Sequence, residues 1–367
     1  MSIADKFSYD LRGVVSQFQV SGEFLEAAPY GTGHINDTFC VLVKQDSETV
    51  RFILQRINHN VFKNPVGVME NIRRVSEHLQ AKLADPTKVS RHVLTLVPMR
   101  EGPPWYIDPG GNHWRMYYFV EGTRCYDAIE SPQQAYSAAR SYGEFQKLLI
   151  DLPQPRLHDT IPDFHHTAKR FQALERAIAA DVAGRVALVQ PEIEFALQHE
   201  PMTRVLLEAD VPERVTHNDT KLGNVLLDEN TGEGVCVIDL DTVMPGLVLY
   251  DFGDMVRTST CPVREDERDL SLVTMQFPMF EAIVRGYLST AGEFLTPVER
   301  QYLAFSGKLI TFETGIRFLT DFLSGDTYFK VHRDGHNLDR CRTQFRLVES
   351  IEAQEAAMNE LVRSIAG

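Results

Sequence analysis

The sequence predicts an α+β fold of two lobes, and three observations lead to this prediction. Residues 1–118 are mostly short β-rich runs around one helix, whereas residues 123–367 are mostly helical in pattern. Residues 119–122 link the two parts, and a polar loop followed by a hydrophobic hairpin interrupts the helical part. We therefore expect a small lobe with an antiparallel sheet, a hinge, and a larger, mainly helical lobe, with a cleft between the lobes.

The small lobe is predicted from β-branched and aromatic runs that are separated by turn residues. A helix is expected from about Pro65 to Ala84, because apolar side chains recur there at helical spacing. The Asp-Pro-Gly-Gly-Asn turn after Ile107 predicts a hairpin. We expect a five-stranded sheet, with one strand ending at Ile107 and the others at 38–43, 50–54, 93–97 and 114–120.

The large lobe is predicted from longer segments with a helical period. Ser131 followed by Pro132 is typical of a helix start, with a capping side chain and a proline in the first turn. The helices are expected at about 131–149, 164–180, 186–208, 265–290, 297–324 and 337–365.

Composition and charge exclude several classes of function. The formal net charge of −14 argues against a nucleic-acid partner, which needs a basic surface. No apolar run is long enough to cross a membrane, and the amino terminus has no basic start before an apolar core. The five cysteines show no CxxC pairing, which is typical of reduced thiols. We therefore expect a cytoplasmic protein without a membrane or nucleic-acid partner, acting as a monomer.

The most informative segment is the loop from His217 to Asn224, followed by a hairpin that ends in Asp239. Its frame, His-x-Asp-x-x-x-x-Asn and then Asp, is typical of phosphoryl-transfer sites. Such sites orient an acceptor hydroxyl with a carboxylate and hold Mg²⁺ with hard oxygen ligands. We expect Asp219 to accept or orient the hydroxyl, and Asn224 and Asp239 to bind Mg²⁺. A solvated loop before an ordinary hairpin would not require this spacing.

Other residues near the motif are expected to assist. Lys221 can meet the γ-phosphate of a nucleotide as a point charge. His217 is expected to brace the loop by hydrogen bonding. Asp251 opens a helix and is expected to cap it, and also to hold the catalytic loop in place. Arg257, one turn later, either pairs with a carboxylate or lies at the surface.

A glycine-containing loop in the small lobe is the candidate phosphate cover. Gly31 and Gly33 precede a strand, so their backbone amides can approach an anion closely, although such a pattern is often only a turn. His34, Asn36 and Asp37 follow and would contact the acceptor or the phosphates, or cap the turn.

The next strand carries no lysine at the position where protein kinases have one. Arg56 and Gln55 are the candidates for the α- and β-phosphates, and strand alternation lets only one of them face inward. Glu70 either pairs with Arg56 or is a surface residue. Backbone groups of the hinge, at Phe119 and Glu121, are expected to hold the adenine edge.

Contacts with the acceptor are expected mainly from later residues. Arg317 stands in an apolar stretch and needs an anionic or carbonyl partner. That partner is either Asp321, one helical turn away, or an acceptor molecule. The ring of Tyr328 can stack on a sugar, or its hydroxyl can form a hydrogen bond with the sugar. Asp241 is a second metal or acceptor ligand, or braces the loop.

With these residues, the chain resembles the aminoglycoside phosphotransferase and choline kinase-like superfamily. The match rests on 217–224, Asp239 and the segment around Asp251. Within it the chain is most similar to the N-acetylhexosamine 1-kinases. The segments that carry this similarity are 33–39, 55–58, 217–221, 237–246 and 317–328.

The resemblance implies a bilobal protein kinase-like fold, ATP as donor, and direct transfer to a hydroxyl of a small molecule. The acceptor would be the anomeric hydroxyl of N-acetylglucosamine or N-acetylgalactosamine. It assigns the base role to Asp219, and sugar contacts to Arg317, Tyr328 and His34. The absent strand lysine departs from the superfamily pattern. Two alternatives remain open: another acceptor, such as an amino alcohol, an aminoglycoside or homoserine, and a nucleotide-binding protein without catalysis.

Overall fold

The structure is a computed structural model that describes residues 9–31, 35–83, 91–126 and 128–366. These residues form two compact units. The first unit holds the described residues up to Glu121 together with His158–Ile161, and the second holds Gly122–Leu157 and the residues from Pro162 onward. The side chain of Asn71 connects residues 158–161 to the first unit by two hydrogen bonds. Asn71 Nδ2 donates to the backbone oxygen of His158 (2.8 Å), and Asn71 Oδ1 accepts the backbone N–H of His158 (2.9 Å).

The first unit is built on a five-stranded antiparallel sheet in the order β1-β2-β3-β5-β4. Side chains alternate along β2 and β3, so Phe39, Val41 and Leu54 are buried on one face. The strands are β1 (Glu23–Pro29), β2 (Asp37–Gln45), β3 (Glu48–Ile57), β4 (Tyr106–Ile107) and β5 (His113–Tyr118).

Two helices of this unit are α1 (Leu11–Val15) and α2 (Pro65–Lys82). α2 begins where expected, because Asn64 caps it by accepting the N–H of Gly67 and Pro65 occupies the first turn. Val14 and Val15 of α1 pack with the buried strand residues in one apolar cluster.

The expected number of strands is right, but one expected strand is wrong. Residues 93–97 form only a single bridge, from Leu96 to Tyr117. β1 takes the fifth place instead. Its side chains are mostly exposed, so it lacks the alternating pattern by which a strand is recognised.

The second unit is mainly helical. α3 packs against α8 at two glycines: a Cβ on Gly143 would lie 2.4 Å from the Thr290 hydroxyl, and one on Gly286 would lie 2.3 Å from Tyr136 O. The helices are α3 (Pro132–Leu148), α4 (Thr167–Ala180), α5 (Gln190–Gln198), α6 (Val205–Glu208), α7 (Val248–Ser259), α8 (Phe277–Ala291), α9 (Pro297–Gln301), α10 (Leu303–Leu323), α11 (His336–Glu352) and α12 (Glu355–Ala366).

Several expected helices are shorter or broken. The segment 186–208 is split into α5, α6 and two 3₁₀ turns, and α8 starts at Phe277 instead of residue 265. Prolines mark these starts, because a residue without an N–H fits only the first turn. The segment 297–324 breaks at Tyr302 into α9 and α10, and 337–365 breaks after Glu352 into α11 and α12. α4 starts at Thr167, three residues later than expected.

Two small antiparallel sheets lie within the second unit and carry the motif. One contains β6 (Thr123–Arg124), β8 (Val225–Asp228) and β9 (Gly234–Val237), and the other pairs β7 (Arg214–Thr216) with β10 (Met244–Gly246). The fold class is therefore as predicted: an antiparallel sheet in the N-terminal region and helices in the C-terminal region. In the part of the chain that is described, no helix combines the length and apolar character needed to cross a membrane.

Candidate active site

The loop that follows β7 is anchored to helix α7 by a buried carboxylate. Asp251 accepts the backbone N–H groups of His217 (2.8 Å) and Asn218 (2.6 Å) and the side-chain N–H of Gln146 (2.7 Å). Its backbone oxygen accepts the Thr220 hydroxyl at 2.6 Å. Asp251 is fully buried, and burial raises the pKa of its carboxyl despite these hydrogen bonds.

Asp251 was expected to cap its helix, and that expectation is wrong. α7 starts three residues earlier, at Val248, and Leu247 precedes it without a side-chain cap. The carboxylate therefore lies within the first turn of the helix. At this position the helix dipole stabilises the negative charge of Asp251, and the same carboxylate holds the loop.

His217 braces the loop from inside. Its Nε2 lies 2.9 Å from the carbonyl oxygen of Ile238, and its Nδ1 accepts the N–H of Asp219 at 3.3 Å. A carbonyl can only accept, so Nε2 carries the proton and the ring is held as one neutral tautomer. The ring is buried beside those of Tyr142 and Phe145, at centroid distances of 5.5 and 6.0 Å.

The backbone at Asn218 turns sharply to present the next residue. Asn218 has φ of 64°, in the left-handed region that asparagine tolerates better than most residues. Its side chain fixes this turn by accepting the Thr216 hydroxyl (3.1 Å) and donating to Thr242 O (2.9 Å). Residues held in this way cluster at functional sites.

Asp219 is partly accessible, with 30% of its side chain exposed. Asn224 donates to its Oδ2 at 2.9 Å and to its backbone oxygen at 2.8 Å, and Lys221 Nζ lies 3.1 Å from Oδ2. Burial opposes ionisation, but the positive charge of Lys221 and these hydrogen bonds outweigh it and lower the pKa of the Asp219 carboxyl. The carboxylate is thus ionised and oriented, as an acceptor of a hydroxyl proton requires.

Lys221 is surrounded by negative charge. The Asp219 carboxylate, and then those of Asp239 and Asp254, raise the pKa of Lys221 against the effect of burial. Its backbone oxygen accepts the Tyr142 hydroxyl at 2.8 Å, so the chain is fixed while the side chain stays about half exposed. A flexible cation of this kind can transfer from a carboxylate to a phosphate.

Asn224 and Asp239 could hold a metal ion. Asn224 Nδ2 donates to Asp219, so the amide oxygen of Asn224, which is a neutral ligand, is the side-chain atom left to bind a metal ion. Ile238 N donates to Asn224 O at 2.9 Å, which ties the two ligand segments together, and Asp239 follows with φ of 60°. An amide oxygen and a carboxylate suit Mg²⁺, which usually takes its other ligands from phosphates and water. Among the described residues, no three His, Cys, Asp or Glu side chains converge as a larger metal-binding group.

Two further carboxylates lie close to the loop. Asp241, an expected acceptor contact, is only 2% exposed, in a 3₁₀ turn directly after Asp239. Asp254 was not singled out from the sequence, yet its charge acts on Lys221, and its Oδ2 is buried without a hydrogen bond. Arg257 pairs with Asp254 at 2.8 Å and with Glu265 at 2.9 Å, so the first of its two alternatives is observed.

A buried ion pair supports the loop from the other side and was missed in the sequence. His165 Nδ1 lies 2.8 Å from Glu313 Oε1, and its Nε2 lies 3.1 Å from Asn218 O. Thr167 donates to the other Glu313 oxygen at 2.5 Å. The residues around Glu313, chiefly His165, lower the pKa of its carboxyl although burial raises it. Because both partners of His165 accept, a doubly protonated ring satisfies both contacts.

Arg317 does not pair with Asp321, so that alternative is wrong. Asp321 instead accepts the backbone N–H groups of residues 327–329 at 2.7–2.9 Å and an N–H of Asn337 at 2.8 Å. The Arg317 guanidinium lies over two aromatic rings, 5.0 Å from the centroid of Phe164 and 5.6 Å from that of Phe329.

Tyr328 belongs to the segment that Asp321 holds. Its ring packs edge-on to that of Phe329 at 4.8 Å, and 59% of the residue is exposed. The structure thus brings Arg317 and the Tyr328 segment together through Phe329.

Several residues that the sequence predicts to contact the nucleotide belong to the first unit. Gly31 has φ of 78°, which suits glycine, while Gly33 and His34 lie outside the described residues. Asn36 accepts the N–H of Asn58 at 3.0 Å. Arg56 forms an ion pair with Asp37 at 2.5 Å, and its alternative partner Glu70 binds His158 at 2.7 Å instead.

Gln55 points to the opposite face of the sheet from Arg56. It accepts the Nε–H of Arg115 at 2.9 Å and donates to the Thr38 hydroxyl at 3.0 Å. Arg115 is fully buried beside Met69 of α2. The protein-kinase pattern places its lysine on the third strand, so it does not point to this arginine of β5.

The hinge residues are linked to one another through Arg51. Arg51 forms an ion pair with Glu121 and covers the ring of Phe119, with 3.8 Å between its guanidinium carbon and the ring centroid. Tyr30 meets the same ring edge-on at 5.9 Å.

Comparison with known proteins identifies the family and the fold of this chain. Residues 26–282 match the model of the Phosphotransferase enzyme family. Among solved structures, an aminoglycoside phosphotransferase from Alicyclobacillus acidocaldarius has a TM-score of 0.64 at 12% identity, covering 96% of both chains. A microcompartment-associated aminopropanol kinase has a TM-score of 0.63 at 17% identity, covering 95% of this chain and 98% of that one. A choline kinase from Cryptosporidium parvum has a TM-score of 0.53 at 13% identity, covering 97% and 95%.

At these identities the solved structures establish a shared kinase-like fold, while the family model spans most of the chain, including the loop from His217 to Asn224, Asp239 and Asp251. The chain therefore belongs to the Phosphotransferase enzyme family.

Proposed function

We propose that this protein transfers the γ-phosphoryl group of ATP to the anomeric hydroxyl of an N-acetylhexosamine, giving the sugar 1-phosphate. The single observation that carries the proposal is the Asp219 carboxylate, ionised, partly exposed, and held by Asn224 and Lys221. A carboxylate fixed in this way can accept the proton of a hydroxyl as that hydroxyl attacks phosphorus.

Each residue of the loop has a separate role in the proposed phosphoryl transfer. Asp219 orients the acceptor hydroxyl and accepts its proton. The hydroxyl oxygen forms a bond to the γ-phosphorus as the bond between that phosphorus and ADP breaks. Lys221 exchanges its contact with Asp219 for one with the γ-phosphate and neutralises its charge. Mg²⁺, held by Asn224 and Asp239, would neutralise further phosphate charge. Asp251 and His217 keep the loop in place.

The nucleotide is expected to be bound by residues of the first unit. Gly31 and Gly33 remain the predicted phosphate contacts, and Phe119 and Glu121 the predicted adenine contacts. Arg56 is also a predicted contact, and it would have to exchange Asp37 for a phosphate.

The acceptor assignment is supported by Arg317. This cation packs on Phe164 and Phe329, and no carboxylate of the described residues lies within ion-pair distance of it. A cationic acceptor such as choline would be repelled here, whereas a sugar with a carbonyl oxygen would supply the missing acceptor atom. Tyr328, with its exposed ring, is positioned to stack on such a sugar.

An ATP-consumption screen tests the proposal. The acceptors are hexosamines and N-acetylhexosamines, neutral hexoses, choline, homoserine and aminoglycosides, with Mg²⁺ present or chelated. N-acetylhexosamines should be consumed fastest, only with Mg²⁺, and ³¹P spectra should show an anomeric phosphate. Preference for choline or an aminoglycoside would refute the sugar assignment and keep the kinase. Absence of turnover with all acceptors would favour nucleotide binding without catalysis.

The variant Asp219→Asn tests the proposed base. Turnover should fall by about 10²- to 10⁴-fold, because the amide cannot accept the proton, while ATP binding measured by calorimetry should persist. Asp210→Asn is the control, since Asp210 is exposed and lies before β7, outside the site. Near-normal turnover of Asp219→Asn would show that Asp219 is not the base.

A further inference from the structure

Two arginines from different helices meet at one aromatic residue. Arg170 of α4 donates from Nε and Nη2 to the backbone oxygen of Phe164, at 3.1 and 3.0 Å. Arg317 of α10 lies over the ring of the same residue, at 5.0 Å. Both arginines are half-buried. Across the described residues, neither guanidinium has an ion-pair partner within 4 Å, although the protein carries an excess of acidic groups.

The carboxylates around this pair are already engaged elsewhere. Glu313 is bound by His165 and Thr167. Asp163, which is exposed, is bound by Lys169 at 2.8 Å.

Asp321, one helical turn beyond Arg317, is also occupied. Its two oxygens accept three backbone N–H groups and one N–H of Asn337. Glu313 and Asp163 act on Arg170 at longer range, and Glu313 also acts on Arg317, but among the described residues no carboxylate contacts either guanidinium directly.

Such an arrangement costs free energy in the unliganded protein. Burial, and then the positive charge of Arg317, lower the pKa of Arg170. Two like charges brought together out of water are unfavourable unless an anion compensates them. The pair therefore has the features of a site that is completed by a ligand.

We propose that Arg170 and Arg317 form a subsite for a carboxylate carried by the acceptor sugar. This inference rests on the proposed function and adds the substrate class: N-acetylhexosamines that also carry a carboxylate, such as N-acetylated hexosaminuronic acids. Guanidinium groups present planar forks of N–H donors that match the two oxygens of a carboxylate. The rings of Phe164, Phe329 and Tyr328 supply the apolar surface against which a sugar ring packs.

The subsite is linked to the catalytic loop by two side chains. Arg317 acts electrostatically on Glu313, Glu313 binds His165, and His165 reaches the backbone oxygen of Asn218, next to Asp219. These contacts connect the arginine pair to the backbone directly before Asp219.

The test compares matched pairs of acceptors: glucuronate with glucose, galacturonate with galactose, and N-acetylglucosamine as a neutral reference. The wild-type enzyme should favour each acid over its neutral parent by at least about tenfold in kcat/KM, as expected for hydrogen bonds to a charged group. Arg170→Gln should lower kcat/KM for the acids by about 10- to 100-fold. It should lower kcat/KM for the neutral sugars much less, with the KM for ATP unchanged.

Two further variants control the experiment. Arg170→Lys keeps a positive charge without the fork and should lose only part of the preference, and it replaces Arg170→Gln if the latter does not fold. Arg176→Gln, an exposed arginine on the same helix, should leave all rates unchanged. Calorimetry with glucuronate alone, without ATP, measures the subsite independently of turnover.

The outcomes separate the two proposals. If N-acetylglucosamine is phosphorylated but acids have no advantage, or if Arg170→Gln and Arg170→Lys leave their advantage intact, the carboxylate subsite is wrong and the proposed function stands. If no sugar is turned over, yet glucuronate binds the wild type and not Arg170→Gln, the subsite stands and the sugar kinase assignment is wrong.

Discussion

Replacing Asp251 by alanine tests whether one buried carboxylate holds the catalytic loop in its active conformation. Asp251 accepts three N–H groups, from the backbone of His217 and Asn218 and from the side chain of Gln146. His217 and Asn218 are at most 3% exposed, so water cannot replace the carboxylate freely. Alanine would leave these three donors buried without an acceptor.

The magnitude follows from these contacts. A buried donor left without a partner costs about 1–3 kcal/mol, so three donors cost about 3–9 kcal/mol. Burial of the Asp251 charge is itself unfavourable, as the raised pKa of Asp251 shows. Replacement by alanine removes this unfavourable contribution to the free energy of folding. We therefore expect a loss in the lower half of the range, about 3–5 kcal/mol. For a unit of this size, that corresponds to a fall in Tm of roughly 6–20 °C.

Asp251→Asn is the matched variant. It keeps one oxygen, which can serve His217 and Gln146, and places an NH₂ group opposite the N–H of Asn218. The expected cost is about 1–3 kcal/mol. Because Asn218 is held at a positive φ, loss of its partner should also move Asp219 and lower kcat by about 100-fold.

The assay is urea unfolding followed by circular dichroism, together with kcat measured well below the unfolding transition. Asp210→Ala, at an exposed aspartate, is the control and should change stability by less than about 0.5 kcal/mol. If Asp251→Ala unfolds like the wild type, or keeps its kcat while folded, the loop does not depend on this carboxylate and the reasoning is refuted.

Three further predictions concern charges around the site. In Lys221→Met the ammonium no longer opposes the effect of burial on Asp219, so the acid limb of kcat/KM should move to higher pH than in the wild type; an unchanged limb would contradict this. Asp321→Ala frees three successive backbone amides around Tyr328, so the KM for the acceptor should rise about tenfold with the KM for ATP unchanged; equal changes in both would indicate general damage. Glu313→Gln should destabilise by about 3 kcal/mol at pH 7. Since the folded-state pKa of Glu313 is lowered, its stabilisation is present above its unfolded pKa and is lost as pH falls through the folded value. The urea-unfolding free energies of wild type and variant should therefore converge as the pH falls below the folded-state pKa.

The fold class was predictable because its signals are local. The polar turn between β2 and β3, the cap at Asn64 and the start at Pro132 each depend on a few neighbouring residues. The errors arose where the tertiary structure overrides the local pattern. Residues 93–97 are β-rich but pair at only one residue, and β1 pairs fully without an alternating pattern.

The candidate site divides in the same way. Asp219, Lys221 and Asn224 lie within one turn of loop, so their spacing alone places them together. The sequence could not show that Asp251 belongs inside its helix instead of capping it, since this depends on where α7 starts. Nor could it show that Asp321 is occupied by backbone amides, which decided between the two alternatives for Arg317.

By itself, the sequence determined the chemistry of the loop: a carboxylate, a lysine, an amide and a second carboxylate at the spacing of a phosphoryl-transfer site. Only the tertiary structure decided what surrounds that loop. His165 meets Glu313 across 148 residues of chain, and Arg170 and Arg317 come together at Phe164. The reason is physical: hydrogen bonds of a short loop depend on neighbouring residues, whereas charges brought together by helix packing depend on how distant segments are placed.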